Sequence, residues 1–203
     1  MKNQQIFLAS RSPRRRTLIE QLGLGYQILD VEVDERHRDG ESPADYVARL
    51  ALEKARRGWQ QVAAQGVPVV GADTCIVLNG RIVGKPVDKA HGIALLKQYS
   101  GATHQVFSAV AMVGTAAKTL QSAPQEQVRV NTSRVTFRQL TERECERYWE
   151  TQEPLDKAGG YAIQGKAAGF IKNIEGSYSG IMGLPLYEFA ELMSAFSIQW
   201  LNA

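Results

Sequence analysis

Four apolar residues, Ile6-Phe7-Leu8-Ala9, run straight into Ser10-Arg11-Ser12-Pro13-Arg14-Arg15-Arg16, and no other junction in the 203 residues limits the architecture so sharply. The apolar run reads as a short buried strand. Pro13 stands where a first helical turn begins, with Ser12 as its expected N-cap. Leu18, Ile19 and Leu22 supply the helix with an apolar face, and Gly23 stops it. Three arginines therefore crowd the end of a helix that already carries partial positive charge, at a cost of roughly a few tenths of a kcal/mol each. That placement makes sense where an anion sits, because free backbone N–H groups and guanidinium forks form a phosphate cradle. A solvated basic turn is the alternative.

A net charge of +3 is too small to argue for nucleic acid as a partner, and the arginines cluster instead of spreading along a face. No apolar run is long enough to span a membrane, and no signal core opens the chain. The expectation is a single domain over residues 1–203, cytoplasmic, without a nucleic-acid or membrane partner. Cys75 and Cys145 have no metal-ligand spacing; they are expected to stay reduced, one in a strand and one in a helix. The polar stretch Thr115–Gln127 is expected to be a hairpin loop.

Along the chain, a second strand is expected over Tyr26–Val31, followed by the charged loop Asp34-Glu35-Arg36-His37-Arg38-Asp39. Ser42 and Asp45 predict a capping box, with Pro43 opening a helix to about Gln65. Val47, Leu50 and Ala51 mark its buried stripe, and Lys54 falls on that same stripe, either snorkelling to an edge or aimed into a cleft. Strands are expected over Val67–Gly71 and Cys75–Leu78, and Asn79-Gly80 signals a type I′ hairpin. That register sets Leu78 against Arg81 and Thr74 against Lys85. It brings Asp73 and Lys85 to one spot, as a site or as a surface ion pair. A helix over Asp88–Tyr99, strands over His104–Gly114 and Val128–Gln139, and a helix boxed by Thr141 and Glu144 follow. The glycine-rich, charged loop Glu153–Gly165 has apolar anchors, as loops lining sites do. A strand near Phe170–Ile174, a Gly/Ser turn and a helix from Pro185 complete an α/β fold on a mixed or largely antiparallel sheet.

Arg14, Arg15, Lys54 and Lys85 supply positive groups from separate segments, as a phosphate-rich substrate requires. Phosphoryl chemistry commonly adds a hard divalent cation on carboxylates, for which Glu35 and Asp73 are the candidates, with Glu53 and Asp88 in reserve. Asp73 could instead deprotonate a water as general base. No Walker loop occurs, and none of the three histidines has an identifiable triad partner. His104 is expected to be structural, and His37 and His91 exposed. Tyr99, Tyr148 and Trp149 read as packing residues.

The stretch Leu8–Arg15 resembles the opening motif of the Maf family of nucleotide pyrophosphatases. The likeness continues in order through Val33-Asp34-Glu35, Leu52-Glu53-Lys54-Ala55, Gly71-Ala72-Asp73-Thr74, Gly84-Lys85-Pro86, Glu153–Gly159, Ile163-Gln164-Gly165 and Gly183-Leu184-Pro185. The resemblance implies an elongated fold with two lobes around a central cleft, similar to inosine triphosphate pyrophosphatases and often dimeric. It implies a metal-dependent (Mg²⁺ or Mn²⁺) enzyme cleaving nucleoside triphosphates to a monophosphate and pyrophosphate. By motif position Asp73 would be the catalytic acidic residue, and Glu35 would join it at the metal. Ser10, Arg14, Arg15, Lys54 and Lys85 would hold the triphosphate. Arg14, Thr74 and Gln164 occupy positions tied to substrate choice, and their combination resembles the branch acting on dTTP and UTP. A glutamine amide can pair with the O4/N3–H edge of uracil or thymine. Ser108-Ala109-Val110 departs from the Thr-Gly-Val of many relatives. Alternatives are a branch acting on 7-methyl-GTP or another modified purine, and a nucleotide-sensing inhibitor of cell division.

Overall fold

Asn79 and Gly80 both adopt positive φ, 51° and 74°, and Leu78 pairs with Arg81 as the type I′ turn demands. That hairpin belongs to a computed structural model describing residues 4–115 and 123–201. The strands are β1 (Gln4–Leu8), β2 (Gly25–Ile28), β3 (Val69–Leu78), β4 (Arg81–Val83), β5 (Thr103–Gly114), β6 (Gln125–Phe137) and β7 (Ile171–Glu175). They form one mixed sheet in the order β2-β1-β3-β5-β6-β7, with β4 on β3. The β1 strand runs parallel to β2 and β3; the remaining pairs are antiparallel. The helices are α1 (Pro13–Gln21), α2 (Pro43–Val62), α3 (Lys89–Tyr99), α4 (Glu142–Glu150), α5 (Tyr178–Met182) and α6 (Leu186–Ala195).

The β3 strand is apolar at almost every position because both faces are covered. Its odd-numbered residues Cys75 and Val77, with Ala109 and Ala111 of β5, pack under Val47, Ala51 and Ala55 of α2. Its even-numbered residues serve two clusters on the opposite face. Val70 and Ala72 meet α1 and α6 through Leu18, Ile19, Phe189 and Leu192. Ile76 and Leu78 meet α3, α4 and the 161–163 segment through Leu96, Tyr99, Tyr148 and Tyr161. Between the two clusters lies a polar pair, Thr74 opposite Ser108.

Several boundaries differ from the sequence expectation. The second strand ends at Ile28, three residues early; one further bond, Leu29 N–H to the Leu8 carbonyl, follows it. The two strand pieces expected around Gly71 are one ten-residue strand. The α5 helix stands where a turn was expected; Ser177 caps it by accepting from Gly180 N–H. Ser42 caps α2 through Asp45 N–H, and Thr141 and Glu144 make the full reciprocal box. Of the expected hairpin loop, Gln125–Gln127 belong to β6, and residues 116–122 lie outside the described residues. Cys75 sits in β3 and Cys145 in α4, both as free thiols.

Candidate active site

The β3 strand loses its partner along one edge halfway through. On that edge it bonds β1 at Val69 and Val70 and β4 from Ile76 to Leu78, so among the described residues no strand pairs with 71–75 there. The other edge stays bonded to β5 from Val69 to Val77. Asp73 and Thr74 occupy the gap, on a backbone held rigid from one side only.

Gly71 brings the first cation to this gap. A Cβ there would stand 2.7 Å from the Ala55 amide nitrogen and closer still to the Ala51 carbonyl oxygen. Its absence lets α2 lie directly on β3. Lys54, one turn along the buried stripe, then reaches Asp73: Nζ is 2.7 Å from Oδ1 of Asp73 and 2.6 Å from Oε1 of Glu35. The Lys54 and Asp73 side chains are each only 12% exposed, so this lysine points into a cleft. The hairpin register does not bring Lys85 to Asp73. The β3–β4 ladder ends at Ile76–Val83, and the Gly84 carbonyl instead accepts from Gly159 N–H. Lys85 leaves the strand and enters the same cavity, where its charge acts on Glu35.

The arginines of α1 are anchored by backbone carbonyls at the end of α5. Arg14 Nε donates to the Met182 oxygen at 3.2 Å, and Arg15 Nε to the Gly183 oxygen at 2.8 Å. Arg15 also donates to Ser10 Oγ at 3.0 Å. Ser10 in turn accepts from Ser12 N–H, and Ser12 itself makes no side-chain cap. Ser10 therefore holds the cation and the turn, and it borders an adjoining cavity of about 540 Å³. That cavity shares Ser12, Arg15, Glu35, Lys54 and Lys85 with the main one. Thr74 Oγ1 lies 2.8 Å from Ser108 Oγ, which donates to the Gly180 carbonyl, so β3, β5 and α5 are tied together at the same point.

The main cavity has a volume of about 610 Å³. Its lining divides chemically into two parts. One is ionic: Arg14, Arg15, Glu35, Lys54, Asp73 and Lys85, with Asp156 and Lys157 of the loop that follows α4. The other is apolar, with Ile76, Val106, Tyr161, Ile163 and Ile181, and here Gln164 adds an amide. Behind it Tyr161 is hydrogen-bonded at 2.8 Å to buried His104, whose imidazole burial drives down to about 4. His104 is thus a neutral packing residue. His37 is exposed, whereas His91 is half-buried, its Nδ1 facing Val87 N–H at 3.3 Å.

Burial pushes the Asp73 carboxyl above its ordinary range; Lys54 and Arg15 pull it back without cancelling the rise, and Glu35 adds to it. For Glu35 burial also pushes upward. There the hydrogen bond and charge of Lys54, helped by Lys85 and Arg15, win and leave its carboxyl low. Burial likewise lowers Arg14 and Arg15, with Asp73 supporting the charge of Arg15. Two carboxylates bridged by one lysine thus lean in opposite directions, Asp73 upward and Glu35 downward.

Sequence reasoning missed what holds Glu35. Its loop has no regular structure, yet three successive carbonyls are gripped from one face of α2. Arg49 donates to those of Asp34 and Arg36, and the Tyr46 hydroxyl to that of Glu35 at 2.9 Å. Arg49 is itself paired with Glu41 at 2.6 Å. The reserve carboxylates serve elsewhere: Glu53 faces Arg38 and Arg49, and Asp88 caps α3 by accepting from His91 N–H.

Among the described residues no group of three His, Cys, Asp or Glu side chains could close a metal cage. The two carboxylates on one ammonium nitrogen do suit a Mg²⁺-like cation, which is commonly held by one or two carboxylates, its other ligands being phosphate oxygens and water.

A split sheet edge brings two carboxylates, a bridging lysine and anchored arginines to one cavity of an α/β protein, an arrangement suited to a phosphorylated ligand. The chain belongs to the Maf-like protein family, whose pattern matches residues 5–196. It is 48% identical over 199 residues to the dTTP/UTP pyrophosphatase of Alkalilimnicola ehrlichii, covering 96% of this chain and 94% of the relative. The dTTP/UTP pyrophosphatase of Saccharophagus degradans is 46% identical over 200 residues, covering 97% and 91%. The Staphylococcus aureus Ham1 protein aligns over 95% of this chain and 97% of its own. At 14% identity and a TM-score of 0.47, that likeness carries no argument about activity.

Proposed function

We propose that the protein hydrolyses nucleoside triphosphates between the α- and β-phosphates, releasing pyrophosphate, with dTTP and UTP as its preferred substrates. The observation that carries this reading is the Lys54 bridge from buried Asp73 to the exposed Glu35, inside a cavity that also holds Arg14, Arg15 and Lys85. The names of the 48% and 46% identical relatives support the substrate class.

The chemistry follows from the residues. Oδ1 of Asp73 is taken by Lys54, so Oδ2 is the oxygen left for a water. Raised by burial, Asp73 is a stronger base than an exposed aspartate and takes the water's proton as its oxygen attacks the α-phosphorus. The bond from that phosphorus to the bridging oxygen breaks, and pyrophosphate leaves with the electron pair. Arg14, Arg15, Lys54 and Lys85 stabilise the charge that builds on it, and the α5 carbonyls hold the two arginines in place beforehand. Glu35 would hold a divalent cation, Mg²⁺ or Mn²⁺, directly and Asp73 through the water it deprotonates; the cation supplies further charge neutralisation. Gln164 and the apolar lining receive the base, with Thr74 beside the arginines.

Pyrophosphate release from a nucleotide panel with Mg²⁺ or Mn²⁺, run beside a chelator control and Asp73→Asn, tests the reading. Selective release from dTTP and UTP, lost in the variant, is expected. Orthophosphate as product, or tight nucleotide binding without turnover, overturns it and favours a nucleotide sensor.

A further inference from the structure

The oxygens of Thr74, Ser108 and Gly180 stand in a row, and the row has a direction. Ser108 is buried, and its Oγ lies 2.5 Å from the Gly180 carbonyl oxygen. Two oxygens that close need a proton between them, and a carbonyl has none to give, so the Ser108 hydroxyl commits its single proton there. The contact between Ser108 Oγ and Thr74 Oγ1, at 2.8 Å, needs a proton as well. Ser108 has no second one, so Thr74 donates it. The Thr74 hydroxyl makes no other hydrogen bond among the described residues, and the residue borders the cavity. What that hydroxyl offers a ligand is therefore lone pairs alone. Donating outward would leave two oxygens pressed together behind it.

Ionised phosphates carry no donor, so this acceptor does not serve the polyphosphate, although Arg15 is close by. A Cβ at Gly183 would stand 3.7 Å from both Arg15 Nε and Thr74 Oγ1. In the other direction, the same face of the β3–β5 ladder continues as Ile76 opposite Val106, where the apolar lining begins. Thr74 thus stands at the seam between the ionic and apolar parts, and in a nucleoside triphosphate the sugar joins the corresponding halves. Outside the base, the donor that dTTP and UTP have in common is the 3′-hydroxyl.

We propose that Thr74 accepts a hydrogen bond from the 3′-hydroxyl of the nucleotide sugar, and that Ser108 is the positioning residue that makes Thr74 an acceptor. This rests on the reading of the cavity as a nucleoside triphosphate site. Removing the Ser108 hydroxyl frees the Thr74 proton. Thr74 then donates or accepts, and a 3′ substituent without a proton is no longer met by lone pairs only.

The probe is 3′-fluoro-3′-deoxythymidine triphosphate, which puts a proton-free group of nearly hydroxyl size at the 3′ carbon. Pyrophosphate release with Mg²⁺ gives kcat/KM for it and for dTTP on wild type, Ser108→Ala, Ser108→Thr and Thr74→Val. Calorimetry gives the Kd of the α,β-imido form of each nucleotide. Wild type should prefer dTTP about tenfold, one neutral hydrogen bond being lost with the fluorine. The preference should fall to about twofold in Ser108→Ala and in Thr74→Val, and return in Ser108→Thr, which restores the hydroxyl. Thr74→Val decides the matter if Ser108→Ala fails to fold. No preference in wild type overturns the proposal. So does an equal loss on both nucleotides in Ser108→Ala, which would make Ser108 a packing residue. Binding separates this contact from the reading it rests on. A wild type that hydrolyses nothing, but whose binding preference for the 3′-hydroxyl is lost in Ser108→Ala, refutes the pyrophosphatase and keeps the contact. Hydrolysis without a 3′ preference does the reverse, and failure of both nucleotides to bind overturns both.

Discussion

At Asp73 burial and neighbouring charge pull in opposite directions, and burial wins. A base with a raised pKa is protonated, and useless, over a wider acid range. Activity should therefore rise about tenfold per pH unit up to an inflection above the ordinary aspartate value of about 3.9, then level off. Lys54→Met removes the strongest influence holding that inflection down, so its acid limb should shift toward neutral pH as well as lose rate. A pH profile of kcat/KM on both proteins checks this. An acid limb that stays put in Lys54→Met would separate Asp73 from the titrating group.

Among the elements, α2 does most to make the site, and only part of that was legible in sequence. The helical period placed Lys54 on the buried stripe, and the Gly71–Thr74 motif marked the facing strand. The partner of Asp73 was misjudged because hairpin register was carried two residues past Val83, where the ladder has already ended. Arg49 and Tyr46 were invisible for a different reason. They bond to carbonyls of an irregular loop, and backbone acceptors leave no trace in residue identity. The α5 helix escaped notice because five residues are too few for apolar periodicity to show. Arg49 makes the consequence testable. Its side chain and that of Glu41 are only 13% and 9% exposed, and the pairing holds Glu41 down to about 2. Arg49→Met leaves that carboxylate unpaired and frees the carbonyls of Asp34 and Arg36. Unfolding free energy should drop by about 1–2 kcal/mol, because the solvent screens part of the loss, and kcat should fall as Glu35 loses its seat. Urea denaturation alongside steady-state kinetics measures both; a stable, fully active variant would remove Arg49 from the positioning of Glu35.

Across the whole molecule, the cavity collects parts from two apolar clusters that meet at Met182. Arg14 and Arg15 come from the cluster of α1 and α6; Tyr161 and Ile163 come from the cluster of α3 and α4. On that face of β3 the two clusters are bridged at the centre by the Thr74–Ser108 pair. A nucleotide lying in the cavity would touch both, so its binding energy adds to the cohesion of the entire chain instead of one loop. A ligand that binds only the folded state at about a hundred times its Kd contributes about 2.7 kcal/mol. For a chain of this length each kcal/mol corresponds to about 2–4 °C, so the melting temperature should rise by roughly 5–10 °C as a single transition. Asp73→Asn allows this to be measured with intact dTTP, because turnover is expected to be lost. Scanning calorimetry with and without the nucleotide distinguishes the outcomes. One transition moving upward means the ligand couples both clusters. Two transitions, of which only one shifts, would mean the nucleotide sits on one side of the Thr74–Ser108 pair and leaves the other half of the molecule unaffected.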